Sequence, residues 1–145
     1  MSGVSRTKLR KWVVAAVVLA TAGLRFLSAA PPAFADSDGD SFFTHIHTEK
    51  AMANVTIAPG RAGPIAITIQ LETVDERPLA ATAVSVTLSN PEIGIEPAVA
   101  EARRGGDDQW RVTMAAPVAG RWTLGLGIRI SANDKVSVEA PILVK

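Results

Sequence analysis

The chain has 145 residues, 15 Lys+Arg against 14 Asp+Glu, two histidines and no cysteine. That length allows one ordinary domain. The lack of cysteine excludes disulfides, thiolate catalysis, thiolate metal sites and redox dithiols, so the fold must rest on its hydrophobic core.

The first residues read as an address. Residues 1–11 are basic through Arg6, Lys8, Arg10 and Lys11, and the apolar run WVVAAVVLATAGL follows at 12–24. Ala33-Phe34-Ala35 then supplies a small-x-small site. This order predicts a signal peptide over 1–35, cleaved after Ala35, and export by the general secretory route to the periplasm or the medium. An uncleaved anchor would need about 20 apolar residues, and Arg25 interrupts the run too early. The leader takes five cations and no acid with it, which leaves 10 Lys+Arg against 14 Asp+Glu and a formal charge of −4. A mildly acidic domain with few aromatics argues against nucleic acid as a partner.

DSDGDS at 36–41 predicts a solvated, flexible N-terminus that extends to residue 44. Its alternating aspartates match the start of a calcium loop, but Ser41 and His47 stand where that loop needs Gly and Glu. A strand is expected at 54–59, ending at Pro59-Gly60. In PIAITIQLET (64–73), Ile65, Ile67, Ile69 and Leu71 recur at period two, while Ala66, Thr68, Gln70 and Glu72 face the other way. AVSVTLS (83–89) alternates likewise. IEPAVAEAR (95–103) predicts a strand broken at Pro97, and RGGDD (104–108) a turn. QWRVTMAAP (109–117) places Trp110, Val112 and Met114 in phase. WTLGLGIRI (122–130) puts Trp122, Leu124, Leu126, Ile128 and Ile130 on one face. Gly125 and Gly127 fall on its outer face, where glycine marks a close approach or a bend. VSVEAPILV closes the chain. No capped amphipathic helix follows residue 36. The fold class is therefore all-β, an immunoglobulin-like β-sandwich of about seven strands over 45–145.

Chemistry concentrates in FFTHIHTEKAM, 42–52. If this segment is extended, His45 and His47 share a face about 7 Å apart along the strand. Two imidazoles so placed can converge on copper, zinc or nickel, and a third ligand could come from Met52, Glu49, Met114 or a facing strand. Thioether sulfur is soft and favours Cu(I). The plainer alternative is a polar pair on an exposed strand, with the methionines as core filler. Met114, in phase with Trp110 and Val112, fits the core better. Trp110 and Trp122 are expected as core anchors on opposite sheets. Asp75-Glu76 and Asp107-Asp108 lie in turns as solvated charges. No nucleophile elbow or phosphate loop occurs, and the expectation is that the protein is not an enzyme.

HIHTEKAMANVTIAPGRAGPIAITI, with LSNPEIGIEP, WRV and PVAGRWTLGLGIRIS further on, resembles the small extracytoplasmic domain of the YtkA-like type. Such domains occur alone or at the C-terminal end of CopD-type copper-resistance membrane proteins. The likeness covers about 45–145. It implies an immunoglobulin-like sandwich, a role in copper homeostasis or resistance, and a metal-facing patch of His45, His47 and Met52. The membrane portion of CopD-type proteins is missing. The CopC-type site built on an N-terminal histidine and its free amine is also absent, since Asp36 would come first. The expected function is capture and delivery of copper to a copper-transporting membrane partner. A module that docks on such a partner without metal is the alternative.

Overall fold

A computed structural model describes residues 40–145. The predicted signal peptide and residues 36–39 lie outside them. Nine strands follow in order: β1 (Phe42–His47), β2 (Met52–Ala58), β3 (Gly63–Glu72), β4 (Ala83–Asn90), β5 (Ile95–Glu101), β6 (Arg103–Arg104), β7 (Trp110–Ala116), β8 (Gly120–Arg129) and β9 (Lys135–Val144). They build two antiparallel sheets, β1-β2-β3-β7-β6 and β5-β4-β8-β9. The run β2-β3-β7-β6 facing β4-β8-β9 is the four-plus-three arrangement of an immunoglobulin-like sandwich. β5 widens one sheet, and β1 is an additional strand on the edge of the other. The sandwich thus begins at Phe42, ahead of the expected boundary at 45.

Period-two alternation becomes the core. Ile65, Ile67 and Ile69 of β3, Val84, Val86 and Leu88 of β4, and Trp122, Leu124, Leu126 and Ile128 of β8 are buried between the sheets. Each large apolar side chain buried there contributes about 1.5–3 kcal/mol, which is how the fold does without disulfides. Trp110 and Trp122 are buried on opposite sheets, and the Trp122 indole N–H donates to the Val118 carbonyl at 3.0 Å.

Two local features differ from expectation. The predicted strand at 95–103 is two strands in different sheets. The chain crosses between them at buried Ala102, whose N–H donates to the Val84 carbonyl at 2.8 Å. Pro97 does not break β5. The strand lies on a sheet edge, and the pairing with β4 shifts register between Leu88 and Asn90, beside Pro97. An edge at a register shift is where a residue without an N–H is tolerated. Gly125 and Gly127 do mark close approach. A Cβ on Gly125 would lie 3.2 Å from the Thr87 Cβ, and one on Gly127 would meet the Ser85 hydroxyl. Among the described residues, no helix is long and apolar enough to cross a membrane.

Candidate metal site

β1 is sorted by its alternation. Phe42 and Ile46 pack inward on the core, while Phe43, His45 and His47 are exposed on the outer face of the sheet. The two imidazoles stand side by side, 4.3 Å between ring centroids and 68° between planes. Nitrogens of rings this close can reach a common ion at bond lengths of about 2.0–2.1 Å.

A tight connection sets what lies opposite them. The Thr48 N–H and hydroxyl both donate to the Ala51 carbonyl, at 2.9 and 2.8 Å, and the Ala51 N–H donates back to the Thr48 hydroxyl at 2.9 Å. Lys50 is tied to Asp134, in the β8–β9 turn, at 2.7 Å. This closure fixes the register of the β1–β2 hairpin. His47 opposes Met52, and Met52 in turn opposes Glu72 on β3. His45 opposes Asn54, and Asn54 opposes Gln70. Directly opposed residues of antiparallel strands share a face, so these six side chains make two adjoining rows across the outer surface.

The register thus brings His45, His47 and Met52 to one patch. Met52 is 6% exposed and lies outside the core cluster, as its place on the outer row requires. Met114 is on the other side of the sheet. It is partly buried against the core, opposite Ile65, and is no part of the patch. Glu49 is exposed in the turn after β1. Among the described residues, no three His, Asp or Glu side chains cluster in metal-ligating range. The donors on offer are two imidazoles and a thioether, an open set that suits a soft or borderline ion held for exchange.

Sequence reasoning missed the polar frame around the histidines. His45 Nδ1 is hydrogen-bonded to Asn54 Oδ1. Asn54 Nδ2 donates to Glu72 Oε2 at 3.4 Å, and Gln70 Nε2 donates to Glu72 Oε1 at 3.0 Å. The alternation of β3 already placed Gln70 and Glu72 on its outer face. What carried no signal was the pairing that sets Asn54 between them and His45.

No protein-family model matches the chain, and no curated protein is similar to it in sequence. Solved structures do match. One is FetP of uropathogenic Escherichia coli, as isolated after expression in the periplasm, with a TM-score of 0.51 at 8% identity over 71% of this chain and 95% of that one. A copper-bound variant of FetP matches with a TM-score of 0.51 at 9% identity, over 72% of this chain and 99% of that one. The chain shares its fold with FetP. At such identity the likeness extends to the path of the backbone, and FetP side chains are no guide to the residues here.

Proposed function

We propose that this protein is an exported copper-binding or copper-delivery domain that takes up the ion through His45 and His47, with Met52 as a third donor. The observation that carries the reading is the pair of imidazoles, 4.3 Å apart on an exposed strand, with a methionine opposite one of them. The YtkA-like resemblance and the copper-bound FetP structure of the same fold support copper over zinc. The role is binding rather than catalysis. Copper is the cargo: His45 and His47 are on the outer face of an edge strand, where a partner can approach, and an incomplete donor set favours release to a copper-transporting membrane protein over permanent retention.

The test is titration of the protein with Cu(I) and with Cu(II), beside the His45→Ala/His47→Ala double variant. The expected result is stoichiometric binding that the double variant loses. Because imidazole binds metal only when neutral, binding should weaken below about pH 6. Binding as tight at pH 5 as at pH 7 would argue against a histidine site, and binding that survives in the double variant would overturn it. No binding by either protein would leave a docking module that works without metal.

A further inference from the structure

We propose that Asn54 and Glu72 are positioning residues that set which nitrogen of His45 is presented to the ion. The inference deepens the proposed copper site and depends on it for its use, though not for its test. A neutral imidazole has one N–H and one lone pair, and the hydrogen bond at one nitrogen decides which is which. His45 Nδ1 faces the side-chain amide of Asn54, whose oxygen can only accept and whose nitrogen can only donate. Which end of that amide points at His45 is decided on its far side. There Asn54 meets Glu72, and an ionised carboxylate only accepts. The Asn54 nitrogen is therefore committed to Glu72, and its oxygen to His45.

An accepting oxygen at Nδ1 requires the proton at Nδ1. The lone pair of His45 then sits at Nε2, the ring nitrogen not engaged by Asn54, on a side chain that is exposed. Gln70 holds the second oxygen of Glu72 at 3.0 Å and keeps the carboxylate in place. The chain Gln70–Glu72–Asn54–His45 thus converts a fixed negative charge on β3 into a fixed tautomer on β1, two strands away. Outer hydrogen-bond partners of this kind orient metal-binding imidazoles and make them better ligands. His47 has no such frame among the described residues.

The test starts without metal. Two-bond proton–nitrogen spectra of the 15N-labelled, metal-free protein, expressed from the full 145-residue sequence, report the tautomer of each histidine near pH 8. The expected spectrum of His45 is that of the Nδ1–H form. Asn54→Ala and Glu72→Gln should each shift it toward a mixture, while Asn54→Asp, which still accepts from Nδ1–H, should keep it. With copper added, Asn54→Ala should weaken binding about 10- to 100-fold and Asn54→Asp should not. An Nε2–H tautomer in the parent protein would overturn the inference, as would a tautomer indifferent to both Asn54→Ala and Glu72→Gln. Copper binding with the wrong tautomer would sink only this inference. The right tautomer without copper binding would sink only the copper reading.

Discussion

At the scale of single residues, the site and the framework respond to different chemistry. Met52→Leu keeps the apolar volume and removes the sulfur, so it should leave stability nearly unchanged. If Met52 is a ligand, the variant should lose Cu(I) affinity more than Cu(II) affinity, because the thioether is the softer donor. Equal loss of both in the same titrations would show that Met52 only supports the fold. Among the described residues, Asp107 is the one carboxylate held far from its ordinary range. Two hydrogen bonds from the Arg111 guanidinium bring it down to about 2, against about 3.9 in an unfolded chain. As acid is added, the unfolded state takes up this proton first. The Asp107 contribution is therefore full above about pH 4 and is lost as pH falls toward 2. Melting temperatures across that window should fall more steeply for the parent than for Asp107→Asn. Parallel curves would show that the pair is too well solvated to matter. In the core, Ile67 is wholly buried, and Ile67→Ala should cost about 2–5 kcal/mol in denaturant unfolding.

At the scale of elements, β1 carries the histidines and is an edge strand, paired on one side only, by β2. Its start is held by Gly60. The Gly60 N–H bonds to the Asp40 carbonyl, and the Gly60 carbonyl accepts from the Lys145 N–H at 2.8 Å. A Cβ at position 60 would lie 2.8 Å from the Asp40 carbonyl oxygen and 3.2 Å from the Phe42 nitrogen. Both are backbone atoms that cannot swing aside. Gly60→Ala should therefore destabilise the protein by about 1–3 kcal/mol. The amides of β1 should then exchange with solvent faster than those of β3. Unchanged protection of β1 would mean that the β1–β2 turn alone anchors the strand.

At the scale of the whole molecule, the division of labour is spatial. The sandwich core is apolar apart from the buried Asn90 of β4, and the candidate site lies outside it on the outer face of one sheet. A metal held by the folded form and not by the unfolded chain raises stability, by about 2.7 kcal/mol at a hundredfold excess over Kd. Copper should therefore raise the Tm of the parent and leave that of the His45→Ala/His47→Ala variant where it was. A rise in both would point to adventitious binding elsewhere.

Much of this was legible in the residues taken in order. The β class follows from period-two runs such as Ile65, Ile67, Ile69 and Leu71. The shared face of His45 and His47 follows from their spacing, because alternation is a local property of an extended chain. The sequence placed Pro97 as a break, since a proline removes a ladder hydrogen bond. Only the edge position of β5 and its register shift show why the strand continues. Likewise, residues 95–103 read as one strand because nothing local marks a change of sheet. The frame of the site is of the same kind. Asn54, Gln70 and Glu72 are unremarkable polar positions until the hairpin register sets them beside His45, and Met114 is parted from Met52 by the opposite face of the sheet and by the length of β3, where Met52 opposes Glu72 and Met114 opposes Ile65. By itself the sequence determined which side chains could share a face. The tertiary structure decided which of those faces meet, because strand pairing is set by turns and packing that act between distant parts of the chain.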